Sequence, residues 1–371
     1  MSVQISETNN QGAKSNMNKT KRNFIIAIAA LAALAGNNSS SAGVAAPNGI
    51  ASIVIGPSRT EFVGVPFARP IEFTGVINAV STNAGNDTYT VALDAGQASL
   101  PTFASGSNST DAWYVLEILD GPSIGFLLPL TSNTGNTQVI VEGSAAGVGV
   151  PVGTRFGIRK DWTLATLFGA ASTSNLFGYG INSSSATINA WVQVYDSAAG
   201  ASATYFIAET GSSTKAYNWR STASTTPRNH VRVSLGRGVV ILNRKAVNFT
   251  MPVAGEYRES RTRLSVPAGK ITYVSNPGAS AVTFSDSTIP ATSPTRATGV
   301  PQTSTGDEWA SWDSANRAWA TYRVGGTSHS NGPSMYSSTT RVNPTIPAYR
   351  AVRVKPLGTT GNVVVTIAPS I

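Results

Sequence analysis

Two stretches of the chain recur elsewhere in it at fixed distances, and this internal echo limits the admissible folds more than any composition figure does. Residues 62–73 and 273–284 stand 211 positions apart and share one pattern: aromatic, Val, two residues, Pro, one residue, Ala, two residues, a β-branched residue, one residue, Phe. A Pro inside an apolar alternation interrupts a strand, so each copy predicts a strand, a bend and a second strand. A second echo joins Asp196-Ser197-Ala198 and Ala203-Thr204-Tyr205 to Asp313-Ser314-Ala315 and Ala320-Thr321-Tyr322, at an offset of 117. Each copy reads as a hairpin, with residues 191–195 alternating into the turn of the first and residues 204–207 returning from it. Strands at 238–242 and 247–251 follow the first hairpin, and strands at 347–354 and 363–367 follow the second.

The two offsets differ because residues 74–160 are additional in the first copy. That insert predicts a small barrel, with strands at 89–93, 113–119, 124–128 and 137–141, a turn at Asn133-Thr134-Gly135-Asn136 and closure at 153–158. One helix is expected directly after it, with Asp161 as N-cap and Trp162, Leu164, Leu167 and Phe168 on one apolar face. Composition agrees with strands elsewhere: 12% of residues are charged, too few for a helical bundle, and 35 glycines separate short Val, Ile, Tyr and Trp runs. The expected fold class is all-β: two related β-sandwich-like modules, residues 47–258 and 259–371, the first with the inserted small β-barrel, plus a short helix and an N-terminal signal segment at 1–46.

The signal reading rests on Lys14, Lys19, Lys21 and Arg22, which precede an apolar run from Phe24 to Ala35. That run is shorter than the roughly 20 residues of a membrane span. Translation could begin at Met1 or Met17, and cleavage could follow Ala35 or fall as late as Ala46. The expected localisation is secreted or at the surface of a bacterium. The chain has no cysteine, so disulfides, thiolate metal sites and cysteine nucleophiles are excluded.

Charge is uneven along the chain: residues 47–160 carry a net −3 and residues 161–371 a net +9. The Arg-rich second half, taken with three nearby tryptophans, gives a candidate ligand surface of Trp309, Trp312, Trp319, Arg350 and Arg353. Sugar rings stack on such aromatic faces, and guanidinium groups attract anions. An acidic polysaccharide or a cell-envelope component is the partner this surface suits, and no specific nucleic acid is expected. The alternative is a solvated β surface with exposed arginines.

Catalytic patterns are sparse. A hydrolytic triad needs a His, and only His230 and His329 exist, neither in a recognisable motif. A glycosidase needs two carboxylates across a cleft, and Asp307, Glu308 and Asp313 beside the tryptophans are candidates. Asp313, however, falls at the hairpin position equivalent to Asp196, where an Asp ordinarily bonds its own turn. The oxygen-rich stretch 83–88 could hold calcium or simply make a turn. The expectation is therefore no catalytic residues, no cofactor, no metal and no enzyme.

The segment around Phe62, the strand at 113–118 leading to Leu130-Thr131-Ser132-Asn133, the stretch 161–168 and residues 273–277 resemble an uncharacterised family of exported Gly/Ser/Thr-rich β proteins abundant in verrucomicrobial genomes. The chain departs from that pattern at Gly332-Pro333-Ser334-Met335-Tyr336, where a Trp-Arg-Lys segment is expected. The resemblance implies a secreted β protein and no assigned reaction. Together these readings point to a structural or adhesive exported protein that self-associates as a filament or surface layer, with a carbohydrate- or polyanion-binding protein as the alternative.

Overall fold

The computed structural model describes residues 48–367 apart from 83–85, 104–112, 143–149, 173–174, 182–189, 197–200, 211–214, 259, 284–306, 326–333, 338–339 and 358–361. The expected signal segment, Asn83 to Gly85 of the oxygen-rich stretch and His329 lie outside the described residues.

The chain is built of strands in this order: β1 (Asn48–Ile55), β2 (Thr60–Gly64), β3 (Ile71–Thr82), β4 (Asn86–Leu93), β5 (Tyr114–Ile118), β6 (Leu127–Thr134), β7 (Gln138–Glu142), β8 (Arg155–Lys160) and β9 (Trp162–Thr163). After the one-turn helix α1 (Leu164–Phe168) come β10 (Tyr179–Ile181), β11 (Ala190–Asp196), β12 (Ala201–Thr210), β13 (Ala216–Ser221), β14 (Arg232–Val233), β15 (Gly238–Asn243) and β16 (Phe249–Glu256). The rest are β17 (Thr262–Pro267), β18 (Thr272–Ser275), β19 (Val282–Thr283), β20 (Glu308–Asp313), β21 (Ala318–Gly325), β22 (Ser334–Ser337), β23 (Thr340–Val342), β24 (Thr345–Ile346), β25 (Ala351–Lys355) and β26 (Asn362–Ile367).

The protein is all-β, and its two halves have the same strand order. The first half runs β2-β15-β11-β12, with both β10 (parallel) and β13 (antiparallel) paired to β12, and the second runs β18-β25-β20-β21-β22-β23, so the first four positions correspond. In each half the first and last strands pair antiparallel as a separate ribbon, β1 with β16 and β17 with β26. Period-two alternation explains the ribbons: Ala51, Ile53 and Ile55 point inward while Ile50, Ser52 and Val54 point out. The inserted strands close a barrel in the order β3-β4-β7-β6-β5-β8. It has its own core, centred on Ile77, Tyr89, Leu116, Ile118, Phe156 and Ile158.

Three sequence expectations shift. The barrel begins at Ile71 rather than 74, because the second strand of the echo is itself its first stave. The strand expected at 124–128 begins at Leu127, since Gly125 at φ 88 turns the chain there. Helix α1 is capped by Thr163, whose hydroxyl accepts from the Thr166 amide at 3.2 Å while the Thr163 amide donates to the Thr166 hydroxyl at 2.8 Å. Asp161 is instead drawn inward by tertiary partners. Its carboxylate accepts from Arg232 Nε at 2.6 Å and from the Leu235 amide at 2.9 Å, and Trp162 becomes a strand residue.

The two halves are not separate bodies. Residues Pro47–Ile371 form one compact unit, and one hydrophobic core runs from Ile53 and Val192 through Val274 and Trp309 to Val365. Contacts across the join come in matched pairs. The Gly64 amide donates to Tyr349 O at 2.9 Å, and the Ser275 amide donates to Gly236 O at 2.9 Å. Val63 bridges Arg350 just as Val274 bridges Arg237. Since 275 is 64 plus 211, and 349 is 236 plus 113, each bond is the counterpart of the other. The halves are thus related by a pseudo-two-fold axis, the arrangement of an isologous dimer inside one chain. At the axis, equivalent positions face each other with no room to spare. A Cβ on Gly64 would stand 2.5 Å from that of Ser275, and one on Gly238 would stand 2.3 Å from that of Ala351.

Candidate functional site

Three tryptophans that are close in sequence go to two different places, because a strand sends successive residues to opposite faces. Trp309 is 2% exposed and lies in the shared core. Trp312 and Trp319 face each other across β20 and β21 and stand on the opposite side, against the first half. There Phe62 lies 5.5 Å from Trp312 and 4.5 Å from Trp319, while Tyr273 stacks parallel to Trp319 at 6.3 Å. The Trp312 indole donates to Thr60 O at 2.7 Å. This cluster sits on the pseudo-axis: Phe62 meets its own counterpart Tyr273 at 5.1 Å, and the contact of Phe62 with Trp312 is mirrored by that of Tyr273 with Tyr195 at 5.2 Å.

The two arginines of the candidate surface are also engaged within the molecule. Arg353 lies 4.7 Å above the Trp319 ring and donates to Glu308 at 2.5 Å. Glu308 accepts from Arg323 as well, at 3.1 Å. Arg350 pairs with Glu61 at 3.2 Å and donates to Val54 O at 3.2 Å, so it ties β1 to the second half. Of the five candidate residues, the fold brings together Trp312, Trp319 and Arg353, buries Trp309 and places Arg350 in a separate contact.

The acids considered for catalysis have structural partners. Buried Asp307 accepts from the Leu357 amide at 2.9 Å. Asp313 holds its hairpin turn, accepting from the amides of Ala315 and Asn316 and from the Asn316 side chain, and these bonds lower its carboxyl below the ordinary range. The His230 carbonyl accepts from the Trp113 indole at 2.7 Å. Among the described residues, no group of three or more His, Asp or Glu could hold a metal ion.

The densest charge cluster joins the barrel to both halves and has no signature in the sequence. Glu117 of β5 is fully buried between Arg159, at 2.7 Å, and Arg258, at 2.6 Å. Burial alone pushes the Glu117 carboxyl up, but Arg258 and Arg159 outweigh it and hold it at about 2. Arg159 reaches on to Glu256 at 3.1 Å, and Arg258 donates to the Thr262 hydroxyl at 2.6 Å. Elsewhere in the barrel, Asp87 is 1% exposed and, among the described residues, neither of its carboxylate oxygens has a hydrogen-bond partner.

A further group was passed over in the sequence because no motif marks it. In a small cluster separate from the shared core, Trp191 of β11 packs on the buried Phe206 of β12, Phe206 pairs with Arg220 of β13, and Arg244 lies 5.3 Å above the Trp191 ring. The Trp191 indole nitrogen and Arg220 Nε are both buried without an acceptor among the described residues. Extending the 117 offset would have found the group, since it sets Trp191 against Glu308 and Phe206 against Arg323.

Compared with known proteins, the chain matches no family model, no curated protein and no solved structure.

Proposed function

We propose that the protein is an exported, non-enzymatic structural or adhesive component that self-associates at a bacterial cell surface. The observation that carries this reading is the β1–β16 ribbon. From Asn48 to Ile55 and from Phe249 to Gly255 neither strand has a charged residue, and its outward face presents Ile50 and Val54 at 65% and 45% exposure, with Val247 at 61% beside it. Among the described residues, β1 pairs only with β16 along its length. Edges of this kind are ordinarily blunted by charge or covered, because unpaired strand groups and apolar side chains recruit another chain. The basic and apolar leader, and the resemblance to exported verrucomicrobial β proteins, support export. The engagement of Asp307, Glu308 and Asp313 in structural bonds supports a role other than hydrolysis.

Sedimentation velocity tests the reading. The wild-type protein is expected to form higher species as concentration rises, and the Ile50→Lys, Val54→Lys double variant to stay monomeric with an unchanged melting temperature. A wild type that remains a monodisperse monomer at its highest soluble concentration overturns the proposal.

A further inference from the structure

Because the halves are related by a pseudo-two-fold axis, each strand edge of one half has a counterpart in the other. β1 and β17 correspond without a gap at the 211 offset: Ala51, Ile53 and Ile55 fall on Thr262, Leu264 and Val266, and all six are buried. Their backbone partners correspond too. The Val54 carbonyl accepts from Arg350 at 3.2 Å, and the equivalent Ser265 carbonyl accepts from Arg237 at 2.9 Å.

The ladder fixes which groups of β1 turn away from β16. The Glu256 amide and carbonyl both bond Ala68, at 2.8 and 3.0 Å, so Glu256 and Asn48 form a non-hydrogen-bonded pair. Such pairs alternate, so the backbone groups of Ile50, Ser52 and Val54 also point outward. Pro252 agrees, since it stands opposite Ser52 and has no amide to give. On β17 the corresponding edge is covered by the barrel: the Arg263 amide donates to Gly125 O at 2.9 Å, Arg263 bridges Phe126 in parallel, and its guanidinium lies 5.6 Å above the Phe126 ring. Ser52 is the counterpart of Arg263, and among the described residues no segment bridges it on that side. Charge differs in the same way. The covered edge carries Arg261 and Arg263 where the open one carries Ile50 and Ser52. Like charges on facing strands repel, whereas a neutral edge in a chain of net +9 can meet its own copy. The outward series Ile50, Ser52, Val54 also has the same character read in either direction: apolar, small, apolar.

We propose that β1 pairs with β1 of a second copy, antiparallel about a two-fold axis at Ser52. Ser52 then exchanges both backbone bonds with the partner's Ser52, Ile50 lies beside the partner's Val54, and the two ribbons join as one four-stranded sheet. A carbonyl has two lone pairs, so Val54 O keeps Arg350 while accepting the partner's Ile50 amide. The inference rests on the self-association reading and names its contact.

Sedimentation velocity and oxidative cross-linking test it. Ser52→Pro removes the outward amide and leaves Ile50, Val54 and the ladder to β16 in place, so it should raise the dimer dissociation constant by about tenfold or more with the melting temperature unchanged, and Ser52→Ala by about twofold at most. The chain has no cysteine, so Ser52→Cys sets one thiol per copy at the axis, within disulfide reach, and should yield a linked dimer under mild oxidation. Thr250→Cys, on the exposed face of β16, should not. Cross-linking is read whether or not Ser52→Pro folds. A wild type that associates while Ser52→Pro associates equally and Ser52→Cys stays unlinked overturns this contact and leaves self-association standing, whereas a monomeric wild type overturns both. Protection of the Ser52 amide from exchange in the monomeric Ile50→Lys, Val54→Lys protein would assign the edge to another part of the same chain, and that too overturns the proposal.

Discussion

Glu117 and Asp87 are both buried acids of the barrel, and they have opposite surroundings. Glu117 lies between two guanidinium groups, so Glu117→Gln leaves Arg159 and Arg258 buried without their counter-charge and should lower stability by about 3–5 kcal/mol, as read by urea unfolding. Because its carboxyl sits at about 2 in the folded protein, below the ordinary value of 4.5, it binds fewer protons folded than unfolded. Its contribution is therefore present above about pH 4.5 and is lost as pH falls toward about 2, a slope that Glu117→Gln should remove. Asp87 has no partner for either oxygen among the described residues, so Asp87→Asn should raise stability, by about 1–3 kcal/mol at neutral pH, and an unchanged or lower unfolding midpoint would refute this. Neither environment could be read in advance. Glu117 reads as one more residue of an alternating strand, and its partners come from β8 and from the loop after β16.

At the scale of elements, strand existence was legible because alternation of apolar residues encodes the side-chain direction directly. Boundaries were less so. Gly125 delays β6, and Asp161 gives up its expected cap to bind Arg232, a partner 71 residues away. The same limit split the tryptophans: proximity in sequence suggested one aromatic surface, but a spacing of three in a strand sends Trp309 and Trp312 to opposite faces. The pseudo-axis depends on two close backbone approaches. Gly238→Ala and Gly64→Ala place methyl groups 2.3 and 2.5 Å from Ala351 and Ser275, so each should cost about 1–3 kcal/mol in thermal unfolding. An unperturbed melt for both would mean that the strands can separate freely at the join.

Across the whole molecule, a core shared between the halves predicts one cooperative unfolding transition for the β-sandwich body rather than one per half. Phe62→Ala in the first half and Trp312→Ala in the second should lower that same transition by about 3 kcal/mol each, since both rings belong to one cluster. Two calorimetric peaks, each moved by only one of the variants, would show that the halves fold independently. The sequence by itself determined the all-β class, the inserted barrel and the two echoes, because period-two patterning, Pro and Gly punctuation and internal offsets are local properties of the chain. Only the tertiary structure decided that the two echoes face one another across an axis, that Trp312, Trp319 and Arg353 are held in that interface, and that Glu117 lies between Arg159 and Arg258. The physical reason is that ion pairing, aromatic packing and burial depend on which distant strands meet, and no local pattern records that.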